Sequence, residues 1–219
     1  MLTRAEARAL YDRIGGRQDA QAFYEDPALD ALVRAVPFAQ AESVVELGCG
    51  TGRFAERLLR EELSMEARYR GLDLSATMVR IARTRLRPFP DRATIVHTDG
   101  SMAVDQPDDS QDVVLAAYLL DLLPHGDIQR FLQEAHRLLG PDGVLAVVGL
   151  TWGQTLLGRL VSTGWNLIHR YRPTWVGGCR PLALHAHLDQ ARWQLNHHAV
   201  VRAWGVPSEV LVAAPENPL

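Results

Sequence analysis

The sequence predicts an α/β fold, a doubly wound and mostly parallel sheet that ends in an antiparallel hairpin. Three observations predict it. Short β-branched apolar runs alternate with amphipathic helical stretches between residues 43 and 150. Three successive apolar runs end in loops rich in glycine or carboxylate, as ligand-binding strand ends do in such sheets. Two further candidate strands near the C-terminus are joined through Gly205-Val206-Pro207, a link too short for a parallel crossover. A chain of 219 residues is long enough for one domain with a sizeable core.

The elements follow in order. Residues 1–42 read as a helical cap with connecting segments, with Pro27 and Pro37 as breakers. Residues 43–47 (SVVEL) form a buried strand that ends at glycines. Phe54, Leu58, Leu59 and Leu63 mark the helix that follows. Residues 69–73 are the second strand. Ser75 N-caps a helix reaching residue 86, with Met78, Ile81 and Ala82 on one face and Pro88 and Pro90 behind it. Residues 93–97 and 112–117 are strands, separated by the turn-rich stretch 105–111. Ile128, Phe131, Leu132, Ala135, Leu138 and Leu139 recur at offsets of three and four, the clearest amphipathic helix of the chain. Gly140-Pro141-Asp142-Gly143 stops it, and residues 144–150 are a fifth strand. A helix over 154–170 and a loop over 171–181 make residues 151–180 an insertion. A helix is expected over 182–193, then the hairpin strands 195–204 and 208–214.

Composition narrows the function. Hydrophobic residues are 47% and charged residues 22%, the balance of a folded globular chain. Every one of the 23 basic side chains is an arginine. That excludes a lysine Schiff base and a P-loop. The net charge of −3 argues against broad phosphate-backbone binding, so no nucleic-acid partner is expected. The charge is uneven: residues 1–150 hold 17 basic and 23 acidic side chains, residues 151–219 hold 6 and 3. Cys49 and Cys179 make no disulfide framework. The opening MLTRAEARALYDR lacks a secretory apolar core, and the longest apolar run, 113–120, is too short to span a bilayer. The expected compartment is the reducing cytosol, without stable membrane insertion. Composition sets no oligomeric state.

The sharpest motif is Gly48-Cys49-Gly50-Thr51-Gly52, placed between a strand and a helix. Missing side chains let a ligand approach the backbone, and the helix start offers free N–H groups. A dinucleotide fingerprint wants its third glycine at position 53, where Arg53 stands. The tighter spacing suits a ligand without a pyrophosphate. Asp73 ends the second strand, where a carboxylate can accept both hydroxyls of a ribose. Thr98-Asp99-Gly100 ends the third strand, where an acceptor can read an exocyclic amine. Each acid taken alone is better explained as a local cap. Together, at three successive strand ends, they point to a nucleoside.

The stretches VVELGCGTGRF, GLDLSATM and HTDG, followed by DVVLAAY and LLGPDGVL, resemble the class I S-adenosylmethionine-dependent methyltransferases. The similarity is greatest to the small-molecule branch with the ubiquinone/menaquinone biosynthesis and phospholipid N-methyltransferase types. It covers residues 43–150. It implies a Rossmann-like sheet of seven strands with an antiparallel last strand. It implies S-adenosyl-L-methionine as cofactor and S-adenosyl-L-homocysteine as product. Carried onto this chain, it puts Glu46, Gly48, Cys49 and Gly50 around the methionine moiety. It puts the ribose on Asp73, and Leu74 and Met78 on the adenine, although plain core packing also explains Met78. Asp99 and Gly100 would meet the adenine amine with Ser101 beside them, and Ala117 the methionyl group. Tyr11 would close the pocket from the cap, with Arg13 or Arg17 near the methionine carboxylate; an exposed surface helix is the other reading of that segment.

Methyl transfer from a sulfonium needs alignment and exclusion of water more than a conspicuous catalytic set. The candidate base is His125, which could equally open the next helix. Tyr118, Trp152 and Trp165 mark a substrate pocket, and with Tyr171 and Trp175 they suggest an apolar or aromatic small-molecule acceptor. Filling a lid's own small core is the alternative for the aromatic residues of the insertion. Cys179, His185, His187, His197 and His198 invite a metal. His185 and His187 fall on different faces of the expected helix, and no paired cysteines support zinc, so no metal site is expected. The competing functions are a cofactor-binding protein without catalysis and a nicotinamide-dependent oxidoreductase.

Overall fold

The computed structural model describes residues 1–216. Its core is one sheet of seven strands: β1 (Ser43–Leu47), β2 (Arg68–Asp73), β3 (Ala93–His97), β4 (Gln111–Ala117), β5 (Leu139–Leu150), β6 (Trp193–Ala203) and β7 (Val206–Pro215). They lie in the order β3-β2-β1-β4-β5-β7-β6. The pairs from β3 across to β5 are parallel, whereas β7 is antiparallel to both β5 and β6. The order reverses between β1 and β4, which makes that junction the switch point where ligands of such sheets bind.

Alternation along each strand sends side chains to two separate cores. Val44, Tyr69, Leu115 and Val148 face α2 (Ala22–Ala35), α3 (Arg53–Arg57) and α4 (Ala76–Arg85). Val45, Leu72, Val114 and Leu145 face α5 (His125–Leu138). The expected helical face of α5 is the buried one: Ile128, Phe131, Leu132, Ala135 and Leu138 all pack inward. Helices on both faces leave β1 and β4 water-free except at their ends, as their apolar runs require.

Several boundaries differ from the sequence-based expectation. Pro27 lies inside α2 and does not break it. It lies in the second turn, past the positions where proline is free of cost, and leaves the Phe23 carbonyl without its helical N–H donor. The helix after the glycine loop is short and continues as one turn of π-helix, Leu58–Glu62. Residues 182–193 are not helical. They form a loop with a single 3-10 turn, Leu184–His187, before β6 begins at Trp193. Leu182, Leu184 and Trp193 are buried in the α5-side core, so their spacing reflects an irregular segment lying on the sheet.

The chain before β1 lies across the strand ends. α1 (Arg4–Ile14) is opened by a capping box between Thr3 and Glu6. Polar contacts tie this segment down along its length. Arg4 pairs with Asp127 at 3.0 Å. Asp12 accepts from the Ser75 hydroxyl at 2.5 Å and the Thr77 N–H at 3.1 Å. Asp19 accepts from the Thr51 hydroxyl at 2.5 Å and from Arg85 at 2.6 Å. After β5, α6 (Leu156–Tyr171) leads to a 3-10 turn, Pro173–Val176.

Candidate active site

The glycine loop, the end of β2 and the end of β3 meet at one edge of the sheet. Gly48, Gly50 and Gly52 have φ of +75°, +54° and +73°. The turn is pinned by the N–H groups of Gly48 and Cys49, which donate to the Leu72 carbonyl at 2.8 and 3.0 Å. A side chain at Gly48 would meet Leu119 at 3.0 Å. Gly71 of β2 lies under Cys49, and a Cβ there would stand 2.9 Å from the thiol sulfur. The loop can sit this low on the sheet because residue 71 is glycine.

Asp73 is bound into the same junction. One carboxylate oxygen accepts from the Gly50 N–H and the other from the Ser75 N–H, both at 2.8 Å. Burial raises its pKa above the ordinary carboxylate value, opposed by those two N–H groups. Glu46 lies deeper, buried, and takes the Tyr69 hydroxyl as donor. Burial pushes its carboxyl up to about 8.

Two adjoining cavities open from this junction. The larger, about 180 Å³, is lined by Asp73, Leu74, Thr98, Gly100, Ser101 and Met102, and roofed by Leu2 to Tyr11 of the N-terminal segment. The smaller, about 110 Å³, is lined by Glu46, Cys49, Gly50, Met78, Ala117 and Tyr118, with Glu25 and Arg53. Tyr11, Gly48, Leu119 and Leu122 line both. Tyr11 donates to the Gly177 carbonyl at 3.0 Å, which ties α1 to the segment after α6. Burial pushes its phenol well above the ordinary value, so it stays a neutral donor.

The candidate residues from the sequence divide between these spaces. Leu74, Gly100 and Ser101 stand with Asp73 in the larger cavity. Met78 does not: it lines the smaller one, on the side of Cys49. Asp99 is exposed, lines neither cavity, and spends a carboxylate oxygen on the Ser101 N–H at 2.8 Å. His125 lines neither cavity; it is exposed in the first turn of α5, with its ring 5.2 Å from that of His187. Trp152 is exposed and lines neither cavity. Trp165 stands behind the smaller cavity, donating to the Cys179 carbonyl at 3.0 Å and meeting Tyr24 edge-on at 6.4 Å. Tyr118 is at the cavity wall with φ +53°, and its hydroxyl donates to Ser208 at 2.9 Å. Left-handed backbone at a tyrosine is strained, and strain of this kind collects at functional sites.

Some lining residues were not legible in the sequence. Glu25 of α2 is buried beside Tyr118, and burial pushes its carboxyl up to about 7, with Arg53 at 3.2 Å acting against that. Arg53 is the cation that lines the smaller cavity, paired with Glu25 and Asp26; Arg13 and Arg17 line neither space. The signal for Glu25 was its place on the face with Tyr24, Ala28, Leu29 and Leu32, all buried.

The strand order and the reversal at β1/β4, with two cavities beside it, define the class: an α/β domain of the methyltransferase architecture. Residues 44–143 match the family described as a methyltransferase domain. Over those residues the chain carries a methyltransferase domain, and its relatives support the class I S-adenosylmethionine-dependent type. It is 36% identical over 121 residues to trans-aconitate 2-methyltransferase of Methylobacterium nodulans, covering 55% of this chain and 43% of that protein. It is 30% identical over 172 residues to demethylmenaquinone methyltransferase of Tropheryma whipplei, covering 76% and 66%. It is 29% identical over 126 residues to the tRNA N(3)-methylcytidine methyltransferase Mettl2 of Drosophila melanogaster, covering 56% and 39%. The chain thus spans about two fifths of the length of the first curated relatives it matches. Among solved structures, the 4+2 cyclase SpnF superposes with a TM-score of 0.74 at 17% identity, covering 97% of both chains. Among the described residues, no helix is long and apolar enough to cross a membrane.

Proposed function

We propose that this chain binds S-adenosyl-L-methionine across the two adjoining cavities and transfers its methyl group to an apolar or aromatic small molecule. The observation that carries the reading is that the two spaces share Tyr11, Gly48, Leu119 and Leu122 in their walls, with Asp73 at the wall of one and Glu46 at the wall of the other. The larger space fits an adenosine: an apolar slot of Leu74 and Met102, with backbone at Gly100 and Ser101 and a carboxylate for the ribose. The smaller fits a methionyl group: Arg53 offers a cation for its carboxylate, and Asp19 and Glu46 offer oxygens for its ammonium. When bound, the cofactor supplies a methyl made electrophilic by a positively charged sulfur.

The protein's own residues hold, orient and shield. Asp73 holds the ribose while bracing the glycine loop. Tyr11 and Leu119 separate the reacting end from water. Tyr118, braced by Ser208 and by Tyr24 edge-on at 5.9 Å, sets the acceptor's plane from an aromatic wall. Glu25, rather than His125, is the buried carboxyl beside Tyr118, placed to take a proton from an acceptor lying against that ring.

The nicotinamide reading fares worse. A dinucleotide fingerprint wants glycine at position 53, and here the Arg53 side chain stands at the start of α3, paired with Glu25 and Asp26. The two cysteines are unpaired and buried, which fits the cytosol. The deciding experiment incubates the protein with methyl-labelled cofactor and three acceptor sets: quinol-like aromatics, small carboxylic acids and tRNA. Label on an aromatic acceptor supports the reading; label on tRNA or acids alone overturns the acceptor class. Cofactor binding without transfer to any of them leaves the cofactor-binding protein without catalysis as the answer.

A further inference from the structure

A second constellation of chemical groups lies away from the two cavities. Glu209 of β7 is 1% exposed, and its carboxylate is held from two sides. One oxygen accepts from the Leu184 N–H at 2.7 Å and the Thr151 hydroxyl at 3.2 Å. The other meets His185 Nδ1 at 2.5 Å and His198 Nε2 at 2.7 Å. The two rings are 4.8 Å apart, centre to centre, and both are exposed on their outer side. Among the described residues, these three side chains bring their ligand atoms within 4.8 Å of one another.

We propose that His185 Nδ1, His198 Nε2 and Glu209 bind one divalent transition-metal ion of the zinc type, open to water on its outer face. Two imidazole nitrogens and one carboxylate oxygen suit Zn²⁺ and its neighbours and do not suit Mg²⁺ or Ca²⁺. Three protein ligands leave a position for water. The carboxylate is oriented the way metal ligands are, by donors on its second oxygen. To bind the ion each neutral ring presents a bare nitrogen, Nδ1 of His185 and Nε2 of His198, and carries its single proton on the other ring nitrogen. The nitrogen–oxygen gaps must widen to roughly 3.3 Å for metal–ligand bonds of about 2.0–2.2 Å. The exposed rings can swing outward to allow this while Leu184 and Thr151 keep the other oxygen in place.

The ligands come from three places: the 3-10 turn that follows the insertion, β6 and β7. An ion there staples the exit of the insertion to the hairpin. The expectation of no metal rested on a helix through residues 185 and 187 and on the lack of paired cysteines. With no helix there, His187 plays no part and the partners come from the hairpin.

The test uses the full chain, stripped with chelator, titrated with Zn²⁺ by calorimetry and with Co²⁺ by visible absorption. One ion per chain is expected, bound at least about tenfold more weakly by His198→Ala and by Glu209→Gln. Zinc should raise the Tm of the parent chain and leave that of His198→Ala in place. Should Glu209→Gln fail to fold, the two exposed histidine variants carry the test. Absence of saturable binding, or equal affinity in the His185→Ala/His198→Ala double variant, overturns the proposal. S-adenosylhomocysteine binding should be unchanged in these variants, so this site and the cofactor reading stand or fall separately.

Discussion

The carboxylate of Asp73 accepts the backbone N–H of Gly50 at 2.8 Å, fastening the end of β2 to the turn that follows β1. One side chain therefore shapes the loop and faces the larger cavity. Asp73→Ala is expected to weaken S-adenosylhomocysteine binding by about 1.5–3 kcal/mol, as loss of charge-assisted bonds does. Calorimetry reads this directly, and unchanged affinity removes Asp73 from the site.

Gly48 makes a second prediction. Its φ of +75° and the 3.0 Å approach of Leu119 leave no comfortable place for a methyl group. Gly48→Ala should cost about 1–3 kcal/mol of backbone strain. It should reduce cofactor affinity more than tenfold while the far-ultraviolet circular dichroism persists. A variant with parental affinity would show that the shared wall of the cavities is not a binding surface.

Glu46 predicts a pH dependence of stability. Burial pushes its carboxyl up to about 8, against an ordinary value of 4.5. The folded protein thus holds a proton that the unfolded chain releases. Its contribution is complete below about 4.5 and is lost as pH rises through about 8. Glu46→Gln keeps an acceptor for Tyr69 and cannot ionise. The urea midpoint of the variant should fall less than that of the parent between pH 5 and pH 9; parallel curves would refute the assignment.

Glu25 predicts a pH dependence of rate. With an acceptor that must lose a proton, turnover should rise with pH through about 7, where its carboxyl ionises. Glu25→Gln should abolish that rise and lower the rate, whereas His125→Ala should leave both as they were. The same rise in Glu25→Gln would assign it to another group.

Much of the frame was legible because its signals are local. A run such as Val44-Val45 or Val113-Val114 is apolar on both faces, and a strand covered by helices on both sides is what that requires. The glycine loop and Asp73 announced themselves by residue type and position. What was not legible joins residues far apart in the chain. Asp12 reaches Ser75 and Asp19 reaches Arg85, and no spacing rule encodes either contact. His185 and Glu209 meet through the same kind of distant pairing. Residues 182–193 mimicked a helix because Leu184 and Leu188 are four apart. Both pack on the α5-side core from a loop. Asp99 had the right type and place for a base contact, yet it is exposed, lines neither cavity, and accepts the Ser101 N–H with one carboxylate oxygen. The last three residues of the expected methyltransferase domain, 217–219, lie outside the described structure.

The most direct test of the cofactor assignment is a crystal structure of the chain with S-adenosylhomocysteine. The account predicts the ribose hydroxyls on Asp73, the base beside Leu74 and Gly100, and the homocysteine tail past Gly48 toward Arg53. Density for the nucleoside at any other place, or clear cavities on both sides of Gly48 at saturating ligand, would contradict it.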